Sequence, residues 1–334
     1  MKKIYLVKIE KICFSLTMVV ALLGLVTACA GATTPTPAPE RPPLKVNWNL
    51  WPGFYPMVIA QELGLFEKHG VKVEAILTDS YETLAPDFIA HKTDGVMLTW
   101  PDALVIDTRA PDSARMVLLI DESAGADMVV ATADIASITD LKGKRIGASL
   151  GSFGELLVRT MLRKGGLTLD DVTLVNVGPE TVPEAMPDSI QAGFTFEPHA
   201  SQAVARGHHV IYSSAEAPGL ITDVLVFRTE VTQQRPEDVR AFIAAWFEAV
   251  AYLQANPTEG NAIIAKALKL KAEEISTEGL KLFNREDNLH AFMPGTDTTS
   301  LYVSGKVNAD FLISSGGLST APDIERLLDS SFLK

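Results

Sequence analysis

Residues 47–76 read NWNLWPGFYPMVIAQELGLFEKHGVKVEAI. Around their start, Leu44 to Leu50 alternates apolar and polar residues with period two, which predicts a strand, and Pro52-Gly53 turns the chain. Tyr55 to His69 then reads as a helix, because Met57, Ile59, Ala60, Leu63 and Phe66 fall on or near one stripe and Gly70 stops it. Val71 to Leu77 returns as a second strand. Strand, turn, helix and strand within roughly thirty residues make a βαβ unit, so the stretch selects an α/β fold with a parallel sheet. The turn also carries Trp51, Phe54 and Tyr55 at the start of a helix, where backbone N–H groups lack helical partners. Such rings either enter the core or await a ligand. Trp48, inside the strand, is expected in the core.

The same alternation continues outward. Thr83–His91 is expected as helix, with strands at 95–99 and 116–120. After a crossover near Met128 a second series begins, with helical turns at 138–141, 153–164 and 198–206 and strands at 145–149, 173–177, 193–196 and 210–213. Val224 to Phe227 reads as a strand returning to the first unit, followed by an all-helical tail. The clearest helix there begins at Pro236, carries Glu237 and Asp238 in its first turn, and ends at Asn256-Pro257. Its Val239, Phe242, Ile243, Trp246, Phe247, Val250 and Leu253 are spaced as a core face. The expected architecture is therefore two lobes, 44–128 with 222–334 and 129–221, joined by two crossings that form a hinge over a ligand cleft.

Residues 1–28 read as an export signal: Lys2, Lys3, Lys8 and Lys11 precede an apolar run from Ile12 to Val26, too short for a spanning helix of about 20 residues. The run ends Val26-Thr27-Ala28-Cys29, which resembles the bacterial lipobox, so Cys29 is expected to be the lipidated N-terminus of a membrane-anchored protein. Residues 29–43 contain five prolines and no bulky apolar side chain, which predicts an extended tether. Cys13 and Cys29 are the two cysteines of the 334 residues, so the body has neither a disulfide nor a thiolate metal site. The formal charge is −12, and it becomes −15 once the four lysines and one glutamate of the signal are removed. Such acidity disfavours nucleic acid and anionic lipid as partners.

The blocks WPGFYPMVIAQELGLFEKHGVKVE, DGVMLTW, ITDLKGKRIGASLGSFGELLV, FTFEPHASQAVARG and PGLITDVLVF, taken together, resemble the solute-binding proteins of ABC importers. The resemblance is to the branch that serves sulfonates, taurine, nitrate and thiamine-precursor pyrimidines, and it runs from Leu44 to about Asn256. It implies a two-lobed periplasmic-binding-protein-like fold, a small-molecule ligand, an ABC permease and ATPase as partners, a monomer, and neither catalysis nor cofactor. It also places the turn at Trp51, Phe54 and Tyr55, the segment with Ser149 and Ser152, and Glu197 in the cleft. Trp100 and Tyr81 follow the third and second strands, at the carboxyl ends where open α/β sheets bind ligands. Asp121, Glu122 and Asp127 sit at the crossover, and Asp223 starts the returning strand; each serves either a ligand or the hinge.

The turns and strand ends expected to line the cleft hold no Lys or Arg, and the basic residues of DLKGKR are expected to face solvent. An anion needs such donors, so acidic and aromatic residues favour a neutral or cationic ring compound, with riboflavin or a thiamine-precursor pyrimidine ahead of an organosulfonate, taurine or nitrate. Gly147-Ala148-Ser149-Leu150-Gly151 also matches the G-x-S-x-G elbow of serine hydrolases, but His199, His208, His209 and His290 offer no recognisable triad order. His208-His209 is expected in a loop without metal. A eukaryotic pyrimidine synthase of thiamine biosynthesis shares the fold the resemblance implies, yet its cysteine-rich motif has no counterpart here.

Overall fold

In the computed structural model the described residues are 41–334 except 273 and 274, so the export signal, Cys29 and most of the tether lie outside them. Residues 43–334 form one compact unit. Two sheets organise it. The first has six strands in the order β11-β4-β10-β3-β1-β2, with β1 Leu44–Asn49, β2 Val73–Thr78, β3 Gly95–Thr99, β4 Ala114–Ser123, β10 Thr222–Arg228 and β11 Leu280–Leu282. The second has five, β7-β6-β8-β5-β9, with β5 Asp127–Ala131, β6 Arg145–Ala148, β7 Thr173–Asn176, β8 Ala192–Phe196 and β9 His209–Ser213.

The βαβ expectation holds for β1, β2 and β3, which pair in parallel, and for β6, β7 and β8. It fails for the strands nearest the crossings. β10 runs antiparallel to both β3 and β4, and β5 antiparallel to both β8 and β9. The chain enters the second sheet directly from β4 into β5 and leaves from β9 into β10 through a single 3-10 turn, Ser214–Glu216, with no α-helical crossover to restore direction.

Three further expectations are corrected. The helix from Tyr55 stops at Glu62 and resumes over Leu65–Lys68, because Gly64 adopts φ +64°, a left-handed conformation open to glycine. The tail is not all helical: β11 pairs antiparallel with β4, and its three residues, Leu-Lys-Leu, are too short for periodicity to reveal. His209 opens β9 opposite Ala131 instead of lying in a loop.

The long helix is Pro236–Ala255 and buries Val239, Phe242, Ile243, Trp246, Val250 and Leu253 as its spacing predicts, whereas Phe247 is only half-buried, with the Arg285 guanidinium 4.9 Å over its ring. Phe242 stacks on Phe66 with ring centroids 5.0 Å apart and meets Phe227 of β10 edge-on at 5.6 Å, fastening this helix to the first sheet. Trp48 is core, as expected. On the other flank, helix Trp100–Arg109 packs under helix Leu301–Ser314 at Gly305, where a Cβ would stand 2.9 Å from the Trp100 ring. Among the described residues no helix is long and apolar enough to cross a membrane. Gly305→Val should push helix 301–314 off Trp100 and lower unfolding free energy by roughly 1–3 kcal/mol, read from urea denaturation.

Candidate functional site

Strand alternation decides which side chains of the first sheet meet the second. Asn49 ends β1, Trp51 and Phe54 occupy the turn that follows, Thr99 ends β3, and Asp223 lies opposite Thr99 on β10. With Tyr81 they form one wall of a nearly closed crevice with about 20 Å³ of free space. The second sheet supplies Asp127, the first residue of β5, together with its pairing partner Phe196 on β8 and Phe153 at the start of helix Phe153–Lys164. The two walls touch through aromatic edges: Trp51 meets Phe196 at 5.6 Å and 86°, and Tyr81 meets Phe153 at 5.5 Å and 70°. Edge-to-face contacts of this kind contribute about 0.5–1.5 kcal/mol each beyond area burial.

Acidic groups fill the end of the crevice nearest the crossings. Asp121 of β4 accepts from Trp51 Nε1, 3.3 Å from each of its carboxylate oxygens. It is also hydrogen-bonded to the neighbouring Asp223 carboxyl, a pairing that requires a shared proton. Burial pushes Asp121 up to about 7, with Asp127 and Glu122 adding repulsion, while Asp223 is raised well above the carboxylate range by burial and then by Asp121 and Asp127. Asp127 is 1% exposed and pushed by burial up to about 7. The nearby Ser123 hydroxyl holds Asp127 down slightly but is engaged with the Asp127 N–H and the Ser214 hydroxyl. Neither Asp127 carboxylate oxygen has a hydrogen bond of acceptable geometry within the protein. Among the described residues lining the crevice none is Lys or Arg.

Tyr81 is fixed next to Thr99, the partner of Asp223 across the sheet. Its hydroxyl donates to Asp102 and accepts from the Thr99 N–H at 3.0 Å, while the Thr99 hydroxyl donates to the same carboxylate at 2.8 Å. Burial, and then the Asp102 charge, raises the Tyr81 hydroxyl well above its usual range, so it stays protonated.

Of the candidates read from sequence, Trp51, Phe54, Tyr81, Asp127 and Asp223 converge on this crevice. Trp100 does not: it directly follows Thr99, so alternation turns it to the opposite side, where it is fully buried beneath helix 301–314. Tyr55 and Glu197 line a separate groove with Gly125 and Glu278. Glu197 accepts there from the Ser201 N–H at 3.1 Å and hydroxyl at 3.0 Å. Ser152 caps helix 153–164, accepting from the Gly154 N–H at 3.1 Å and donating to the Ser149 carbonyl at 2.7 Å, so its hydroxyl is engaged locally. Ser149 itself lies in the loop between β6 and this helix, where its carbonyl is the acceptor for Ser152.

Phe153, Phe196, Asn49 and Thr99 were not singled out by the sequence reading. Phe153 repeats the pattern of Phe54, an aromatic at the start of a helix after a strand, and Phe196 ends its strand beside Glu197; both signals are in the chain. Asn49 and Thr99 have no such mark, because only sheet register turns them inward.

Two sheets joined by two crossings, with strand ends converging on an interlobe crevice, define a two-lobed periplasmic-binding-protein fold. The aliphatic sulphonate binding protein SsuA of Escherichia coli has this fold, superposing with a TM-score of 0.71 at 16% identity over 86% of this chain and 92% of its own. By sequence, residues 51–260 match the NMT1/THI5-like family, and the chain belongs to that family. A Brucella abortus (strain 2308) protein provisionally named a binding protein is 30% identical over 66% of this chain and 69% of its own length. A Legionella pneumophila protein named 4-amino-5-hydroxymethyl-2-methylpyrimidine phosphate synthase is 23% identical over 74% of this chain and 81% of its own.

The raised carboxyls set a pH dependence. A group near pKa 3.9 when unfolded but near 7 when folded favours folding below about pH 4, and that contribution is lost as pH rises through 7. Asp127→Asn should therefore shrink the fall in stability between pH 5 and pH 8 by about 2 kcal/mol, measured by chemical denaturation at both values.

Proposed function

We propose that this protein is the extracytoplasmic solute-binding component of an ABC-type importer. In that role it acts as a monomer, held at the membrane by lipid on Cys29, and hands a small ring-containing nutrient to the permease. The observation that carries the reading is the crevice itself: aromatic rings from both sheets flank a buried, unpartnered Asp127 carboxylate. A ligand there touches both sheets at once, so it stabilises the closed arrangement by contacts that a parted one cannot make.

The ligand favoured is a neutral or cationic heteroaromatic. The Legionella relative is named for pyrimidine chemistry, which agrees with a thiamine-precursor pyrimidine. Riboflavin fits less well: the crevice has about 20 Å³ of free space, far below the usual ~300–1,000 Å³ of ligand pockets, so any ring must part the two walls and a flavin must part them furthest. A sulfonate, the cargo in the name of the E. coli neighbour, meets a worse obstacle. A buried anion needs positive donors, and the lining offers no Lys or Arg, only the acidic Asp127 and Asp223. A synthase role, as in the Legionella name, receives no support from cysteine chemistry, because residues 30–334 contain no cysteine.

A thermal-shift panel of pyrimidines, flavins, sulfonates and nitrate on protein starting at Ala30 tests the role, since a ligand at 100 times its Kd adds about 2.7 kcal/mol. A pyrimidine should shift the melting point and sulfonates should not; the reverse would remove the ring assignment. Trp51→Ala should weaken binding of that ligand by about 1–3 kcal/mol in calorimetry, the worth of one stacked ring.

A further inference from the structure

Each crossing between the sheets carries a buried carboxyl: Asp127 opens β5 just past the first, and Asp223 lies at the start of β10 just past the second. The crossings are tied to each other. The Ser123 and Ser214 hydroxyls are 2.7 Å apart, the Gly125 N–H donates to Ser214 at 2.7 Å, and the Asp127 N–H donates to Ser123 at 3.0 Å. A parting of the two sheets would pivot there, with Asp127 carried by the second sheet and Asp121 and Asp223 by the first. The charge of Asp127 acts on both of those acids and raises them.

The packed elements supply no compensating cation. On the first sheet Glu122 accepts from the Gly219 N–H at 2.6 Å, Asp102 holds the Tyr81 hydroxyl, and Lys281, opposite Glu122 on β11, sets its ammonium 4.7 Å over the Phe283 ring. On the second, β9 places Tyr212 opposite Val129 and His209 opposite Ala131 at the other end of β5. Glu197 is engaged by Ser201, and His199, on the helix packed against β5, lies against Phe196 with ring centroids 5.9 Å apart. With the facing rings in contact and about 20 Å³ free, water is kept from the acids, and burial favours their protonated forms. Parting the walls admits water and lets the carboxyls ionise, after which repulsion between Asp127 and the acids of the other sheet opposes closure.

We propose that the acids at the crossings form a proton-controlled gate, holding the two walls together while protonated and driving them apart as they ionise. The gate regulates the solute site and rests on the solute-binding reading above for what it admits, although its motion is measured without solute. A carboxyl near pKa 7 when enclosed and about 4 when hydrated favours closure fully below about pH 4, and that contribution is lost as pH rises through 7. Between pH 5 and pH 8 the ratio of closed to parted molecules should fall by up to about 100-fold for each such carboxyl.

Residues 30–334 contain no cysteine, so introduced thiols can be labelled without competition. Glu82→Cys, exposed beside Tyr81, and Leu150→Cys, exposed in the loop before Phe153, place one spin label on each side of the crevice. Label separation is measured on protein starting at Ala30 from pH 4 to pH 8, with circular dichroism confirming the fold at each value. A short separation at pH 5 should give way to a longer one with a midpoint near 7, and Asp127→Asn should keep the short one throughout. A separation that ignores pH, or that lengthens in Asp127→Asn as in the native protein, would overturn the gate. Where Asp127→Asn does not fold, the native midpoint decides: lengthening centred at pH 4–5, the range of ordinary carboxylates, also overturns it. Gate and role fail separately. Opening with pH but no melting shift from any solute of the panel removes the importer reading and keeps the gate, whereas a solute shift with a separation that ignores pH removes the gate alone.

Discussion

Three carboxyl groups, Asp121, Asp127 and Asp223, are buried together where the chain crosses between its two sheets, with no Lys or Arg beside them in the crevice. Burial at that point disfavours their ionised forms, so the cluster is held by a shared proton and by the Trp51 indole N–H. Much of the neighbouring geometry follows. The turn carrying Trp51 and Phe54 must press against Asp121, and it can do so because residue 53 is glycine: a Cβ there would lie 2.0 Å from Asp121 Oδ2 and 2.6 Å from Trp51 Nε1. The register that sets Asp223 opposite both Thr99 and Asp121 fixes the acids relative to the polar end of β3.

The aromatic contacts transmit that arrangement across the crevice. Trp51 is tied to the first sheet by Asp121 and reaches Phe196 of the second; Tyr81 is tied by Asp102 and Thr99 and reaches Phe153. Each bridging ring is therefore oriented by hydrogen bonds in its own sheet before it meets the other, which limits the freedom lost when a ligand is enclosed. Gly154 allows Phe194 to approach the same helix start, since a Cβ there would stand 2.4 Å from the Phe194 ring, and Phe194 in turn supports Phe153 at 5.4 Å.

Much of the fold was legible because amphipathic periodicity and turn residues are local. β3 and helix Phe153–Lys164 lie where spacing put them, and the core face of helix Pro236–Ala255 is the one its apolar residues describe. The misreadings arose where local pattern carries no information about partners. Nothing in Leu280–Leu282 distinguishes a three-residue edge strand from loop, and nothing in Val224–Phe227 states that it runs against β3. Trp100 shows the limit at the level of one side chain. Sequence places it correctly at a strand end, but its neighbour Thr99 takes the inward position and leaves the indole to fill the space above Gly305.

The sequence by itself determined the α/β class, the two series of strands and helices, and an acidic, ring-rich character poor in basic residues near the strand ends, because these depend on composition and short-range spacing. Only the tertiary structure decided which rings and acids meet. Asn49, Tyr81, Asp127, Phe153, Phe196 and Asp223 are scattered over 175 positions of chain, and sheet register and the two crossings, which are long-range pairings, turn them toward one another.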